Sequence, residues 1–139
     1  MNVDTIMVNL QIGPDLQDIT DSLQLLVHDS GITNGHLSVF VVGSTGSITT
    51  IEYEPGVVQD LKDALSRLAP PGIDYAHEQA WHDGNGHSHV QAAILGPSLS
   101  IPIRSGRLRL GTWQQVVVVN HDNCPRQRVV EVTLVGGRL

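Results

Sequence analysis

The sequence predicts an α+β fold: a compact single domain over residues 1–139, with a mainly antiparallel sheet and two or three helices. Three observations carry that reading. A chain of 139 residues with 40% hydrophobic content fits one domain and can bury one core without disulfides or a structural metal. Residues 57–68, VVQDLKDALSRL, place Val57, Leu61, Ala64, Leu65 and Leu68 on one helical face, between Glu54-Pro55-Gly56 and Pro70-Pro71-Gly72. The final third is a succession of β-rich segments, SLSIPI, GRLRLG, WQQVVVV and RVVEVTLV, parted by turn sequences.

Taken in order, residues 3–12 alternate loosely between apolar and polar with β-branched enrichment and stop at Gly13-Pro14, so they predict a strand. Ile19, Leu23, Leu26 and Val27 then recur at helical spacing, with Asp18 or Thr20 as cap and Ser30-Gly31 as stop. HLSVFVV and ITTIEY predict two strands joined by Gly43-Ser44-Thr45-Gly46-Ser47. That loop is either a hairpin turn or an anion cradle made from amides and the hydroxyls of Ser44, Thr45 and Ser47. It has neither a Walker ending nor GxGxxG, which favours the turn. Residues 75–86 read as loop, and HVQAAIL as a short helix closed by Gly96-Pro97.

Fourteen acidic against eight basic residues give a net charge of -6, which argues against a nucleic-acid or anionic-membrane binder. The 16% charged content leaves room for a buried subunit interface without demonstrating one. One cysteine, Cys124, has no partner for an intramolecular disulfide and fits a reducing compartment. The N-terminus lacks a signal-peptide pattern and no apolar run is long enough to span a membrane, so a soluble cytoplasmic protein is expected.

Chemistry concentrates in YAHEQAWHDGNGHSHVQAAILGP, residues 75–97, where His77, His82, His87 and His89 fall close together with Glu78, Asp83 and Asn85 between them. Neutral imidazole is the commonest metal ligand and titrates near neutral pH. A catalytic zinc site takes three protein ligands, and His77, His87 and His89 can supply them if the chain bends after Asp83-Gly84-Asn85-Gly86. In a regular helix residues 87 and 89 would point to nearly opposite sides. Glu78 and Asp83 are candidates for orienting the imidazoles, and His82, beside Trp81, ranks last. The competing uses are metal-free acid–base work near a phosphate, and a solvated loop that happens to be rich in histidine.

The combination resembles the YjbQ family. The residues that carry the likeness are Asp18-Ile19-Thr20, the Ser44-Thr45 to Glu52 stretch, Asp60-Leu61, Tyr75-Ala76-His77, Asp83 to His89, Leu95 to Leu99, Pro102, Gly106-Arg107-Leu108, Leu110-Gly111-Thr112-Trp113-Gln114 and Arg128. The resemblance implies a compact α+β fold, a homotrimer with sites near its interfaces, and a secondary thiamine-phosphate synthase activity that joins a pyrimidine pyrophosphate to a thiazole phosphate. On that reading His77, His89, Glu52 and Asp60 are catalytic candidates. Ser44, Thr45, Asn85, Thr112, Trp113 and Gln114 are ligand-binding candidates, and His77, His87 and His89 would hold a divalent metal, zinc or magnesium. The expected partners are further copies of the chain and a small phosphorylated molecule. Many family members open the residue 43 loop with a histidine, and here Gly43 stands in its place. The competing class is a non-enzymatic small-ligand or metal-binding homotrimer using the same pocket.

Overall fold

The computed structural model describes residues 1–138. In chain order the elements are β1 Asn2–Leu10, β2 Asp15–Asp18, α1 Thr20–Ser30, β3 Asn34–Val42, β4 Gly46–Ile51 and α2 Pro55–Leu68. They continue with α3 Ala76–Trp81, α4 Gly86–Leu95, β5 Ser98–Arg104, β6 Arg107–Leu108, β7 Gln115–Asn120 and β8 Arg126–Gly137. Two sheets form, with every pairing antiparallel: a larger one in the order β1-β8-β3-β5-β6 and a smaller one in the order β2-β7-β4.

Period-two patterning explains how the sheets face each other. In β8, Val130, Val132 and Leu134 point inward and are fully buried, alongside Leu37, Val39 and Val41 of β3. The run of valines in β7 is buried on both sides, the pattern of a strand covered on two faces. Val116 and Val118 join the core between the sheets, together with Leu23 and Val27 of α1. Val117 and Val119 face the other way, with Leu16, against Val58 and Leu61 of α2 and Leu95 of α4. Full burial of one such side chain contributes about 1.5–3 kcal/mol, so β7 is the strand on which both hydrophobic layers depend.

Several local expectations change. The 43–45 segment is not a hairpin turn: β3 lies in the larger sheet and β4 in the smaller, so the loop carries the chain across the sandwich. A short helix, α3, occupies the stretch read as loop, because Glu78 satisfies backbone donors across the following turn. α4 begins at Gly86, ahead of the expected start, and GRLRLG yields only two strand residues. α2 is capped by Glu54, whose carboxylate accepts from the Gly56 and Val57 amides at 2.6 and 3.0 Å, with Pro55 at the first helical turn. Leu68, placed on its apolar face by spacing, is 66% exposed because the covered stripe ends at Leu65. Asp18 serves the start of α1 by accepting both the Thr20 N–H and the Thr20 hydroxyl, at 2.9 and 2.6 Å. Among the described residues no helix is long and apolar enough to cross a membrane.

Candidate functional site

Three segments meet beyond one end of the smaller sheet: the 43–45 crossover, the 121–125 loop after β7, and the turn from α3 into α4. Glu78 shapes the last of these. Its carboxylate accepts from the Gly84 N–H at 2.7 Å and the Gly86 N–H at 2.8 Å, tying α3 to the first turn of α4. Gly86 is required by contact, since a Cβ there would lie 2.5 Å from that of Tyr75. Asn85 is buried and holds the turn to the 121–125 loop, donating to Asp122 Oδ1 at 3.1 Å and accepting from the Asn123 N–H at 3.0 Å and the Ser88 hydroxyl at 2.8 Å.

This scaffold brings His77, Asp83 and His89 together, with ligand atoms all within 4.8 Å of one another. The His77 and His89 ring centroids are 4.6 Å apart, tilted by 52°. Asp83 Oδ1 lies 3.0 Å from His77 Nε2 and also accepts from the Asn85 N–H at 3.0 Å. The Asn85 amide, aided by His77, holds the Asp83 carboxyl below its usual range against a smaller opposing effect of burial. No side-chain hydrogen bond from the described residues reaches the His89 ring.

Behind the cluster is a buried polar network. Asp122, 2% exposed, accepts from Thr45 Oγ1 at 2.9 Å, Arg126 Nε at 3.1 Å, Asn85 Nδ2 and the Cys124 N–H. Burial alone would raise its carboxyl pKa; the donors from Asn85, Thr45, Cys124 and Arg126 outweigh it and hold the group far below the carboxylate range. Arg128, 6% exposed, donates through Nη2 to Thr45 Oγ1 and Asn120 Oδ1. His121, 1% exposed, lies between Ser47 Oγ at 2.7 Å and Gln91 Oε1 at 3.0 Å. Burial first, then the positive Arg128 and His87, lower its pKa to about 4, so it is a neutral structural bridge at ordinary pH.

Ser44, Thr45, Asp83, Asn85, His89, Asp122, Arg126 and Arg128 line one basin of about 430 Å³. An adjoining cavity of about 340 Å³ shares Ser44 and His89 and is otherwise walled by small residues, Gly43, Gly46, Ala92, Ala93 and Pro97.

The expected residues divide accordingly. His77, His89, Ser44, Thr45 and Asn85 are brought to one place. His87 is not: it faces a separate small cavity with Tyr75, Glu78 and Gly84, its pKa is lowered mainly by burial, and Asp83 stands where it was expected in the cluster. The physical reason is the early helix start, which puts residues 87 and 89 two apart within α4 and turns them to different sides. His82 is exposed at the C-terminal end of α3, with φ of 53°. Thr112, Trp113 and Gln114 line a different groove of about 510 Å³ with Asp18, Asp21 and Arg107, and Trp113 is 72% exposed. Glu52 and Asp60 are exposed and line neither the basin nor that groove. Sequence reasoning gave no site role to Asp122, Arg126 or Arg128. One signal was available: Arg128 is in phase with the inward Val130, Val132 and Leu134, so β8 alternation alone marks it as buried.

Fold and site together define a two-sheet α+β domain with a polar, histidine-bearing basin at one end. The chain belongs to the UPF0047, YjbQ-like family, whose pattern matches residues 4–137. It is 35% identical over 122 residues to a UPF0047 protein of Methanothermobacter thermautotrophicus, covering 88% of this chain and 83% of that protein. It is 38% identical over 116 residues to UPF0047 protein Rv2556c of Mycobacterium tuberculosis, covering 81% and 83%. Among solved structures it is similar to a YbjQ-like protein of Sulfolobus solfataricus, with a TM-score of 0.92 and 33% identity over 98% of this chain and 97% of the other. A hypothetical protein of Aeropyrum pernix gives a TM-score of 0.88 at 32% identity, covering 99% and 100%.

Proposed function

We propose that the basin binds a divalent cation through His77, Asp83 and His89 and holds a small phosphorylated molecule beside it, as a group-transfer site of the thiamine-phosphate synthase type. The observation that carries this is the convergence of two imidazoles and a carboxylate within 4.8 Å, with the His89 ring lacking a side-chain hydrogen bond from the described residues. The donor set fits a metal. Small ring rotations bring these atoms within the span of two ligand bonds of about 2 Å each. Two nitrogens and one oxygen suit zinc better than magnesium, which prefers oxygen and keeps its water. When bound, the ion would polarise phosphoryl oxygens and offset charge developing on a departing anion.

The remaining chemistry falls to the chain. Asp83 orients His77, and Asn85 fixes Asp83 through its N–H. In the proposed reaction the bond from the pyrimidine methylene to pyrophosphate breaks, the electron pair leaving with pyrophosphate, and the thiazole nitrogen forms the new bond at that carbon. Ser44 and Thr45 stand at the basin wall for the anion. A homotrimer belongs to the same proposal. Its support is that the Trp113 groove and the histidine basin share no lining residue, together with exposed Val3, Met7, Phe40 and Val42 on β1 and β3. In such an assembly Glu52, Asp60, Thr112, Trp113 and Gln114 would complete a neighbour's site.

Calorimetric titration of metal-stripped protein with zinc, followed by an assay for thiamine phosphate from the two phosphorylated halves, tests the proposal. Binding with turnover lost in His89→Ala supports it. Zinc binding without product would establish the non-enzymatic binding protein instead, and no zinc binding would remove the metal. Light scattering that returned a monomer would remove the trimer.

A further inference from the structure

We infer that Arg128 and the Gly43–Thr45 loop form an anion subsite for the phosphate group of a small phosphomonoester, whose organic body lies on the Ala92, Ala93 and Pro97 wall. The inference rests on the basin taking a phosphorylated molecule, but not on the metal.

Arg128 is a cation buried to 6% exposure without a counter-charge in contact. Its hydrogen bonds go to neutral oxygens of Thr45 and Asn120, and among the described residues no carboxylate lies within 4.0 Å of it. Asp122 is the nearest candidate by its electrostatic effect, yet its oxygens are taken up by Thr45, Asn85, Cys124 and Arg126. Burying an uncompensated charge is unfavourable, and a site that does so gains by capturing the opposite charge. Guanidinium is also the side chain whose donor geometry matches phosphate oxygens.

The geometry leaves a route to it. Nε is buried and unpaired against Gly46, where a Cβ would lie 3.1 Å away. Among the described residues Nη1 makes no hydrogen bond, and it is not one of the buried unpaired atoms, so it is the donor open to a ligand. Gly43 makes that opening: its φ is +128°, and any Cβ there would stand 2.9 Å from Nη1. Ser44, exposed and unpaired among the described residues, lines both the Arg128 basin and the apolar cavity, so an anion held between Ser44 and Nη1 would direct its substituent past His89 onto Ala92, Ala93 and Pro97. These are small, apolar surfaces with little hydrogen-bonding capacity, which fits a compact planar or aliphatic body and disfavours a sugar.

The test uses the metal-stripped full chain in chelator, titrated calorimetrically with phenyl phosphate and with inorganic phosphate. Both should bind, phenyl phosphate the more tightly. Ser44→Asp, which adds a negative charge at an exposed lip and touches no buried contact, should weaken both at least 10-fold, and Arg128→Gln should do the same if it folds. Zinc affinity of Ser44→Asp should be retained or strengthened, since an added carboxylate repels an anion but not a cation, which separates this inference from the metal proposal. Absence of phosphate binding, or unaltered affinity in a normally folded Ser44→Asp, would overturn the subsite. Equal affinity for the two ligands would overturn the assignment of the apolar wall.

Discussion

Nε2 of His77 lies 3.0 Å from Oδ1 of Asp83, and the same oxygen receives the Asn85 N–H. One carboxylate oxygen therefore orients the imidazole on α3 and is itself fixed by the turn that opens α4. This coupling sets the rotamer of the first ligand by the geometry of the second, the kind of preorganisation a metal site needs.

Asp83→Ala should accordingly weaken zinc binding by at least the roughly 10–100-fold that loss of an orienting partner brings, and His89→Ala should do likewise. His87→Gln should leave zinc affinity unchanged, because that ring faces the Tyr75 and Glu78 side. Isothermal titration of the three variants decides between the pair His87 and Asp83 as third ligand. Loss of binding in His87→Gln with retention in Asp83→Ala would reverse the assignment.

The contrast between His87 and Asp83 shows which parts of the molecule were legible in the sequence. Valine-rich β7, alternating β8 and the amphipathic α2 announce themselves, because their signals are local and periodic. The histidine cluster was visible as density, but choosing among its members depended on where α4 begins. Glu78 settles that by satisfying the Gly84 and Gly86 amides from a neighbouring helix, a contact with no periodic trace. The 43–47 loop was misjudged as a turn since two adjacent β segments usually pair, whereas here the core between the sheets claims one side of each. Asp122 lies 37 residues from Asn85, and 77 from Thr45, so their meeting depends on the whole fold.

His121 makes a pH dependence of stability expected. Its folded pKa is lowered to about 4, against about 6.5 in an unfolded chain. A depressed imidazole favours the neutral form in the fold, so the full contribution is present above about pH 6.5. As pH falls below that, the unfolded chain takes up a proton that the native protein refuses, and stability declines until about pH 4. The total loss is on the order of 3 kcal/mol. Urea unfolding across this window should show the slope in the parent and a flatter profile in His121→Gln.

Asp122 acts in a lower window. Its carboxyl pKa is depressed in the fold by four donors, so its contribution is complete above the ordinary carboxylate value of about 3.9 and is lost as pH falls below that value toward the folded one. Asp122→Asn keeps the shape but withdraws the charge facing Arg126 and the buried Arg128. It should lower stability at pH 7 by about 2–4 kcal/mol and remove the steep acid limb below pH 4. An unchanged acid limb in the variant would assign that transition to other carboxylates.

Gly43 offers the sharpest test of what the crossover tolerates. A side chain there must adopt φ near +128°, a region L residues rarely occupy, and its Cβ would press on Arg128 Nη1 from 2.9 Å. Gly43→His should therefore destabilise the protein by about 1–3 kcal/mol, from backbone strain, even though it adds a potential ligand. Gly43→Ala should show the same loss without the imidazole. If the two variants unfold alike, the cost belongs to the backbone; if Gly43→His is as stable as the parent, the crossover must shift to a different path, and the exposed Nη1 would shift with it. Zinc titration of Gly43→His then separates an added ligand from a merely tolerated side chain, since only the former strengthens binding relative to Gly43→Ala.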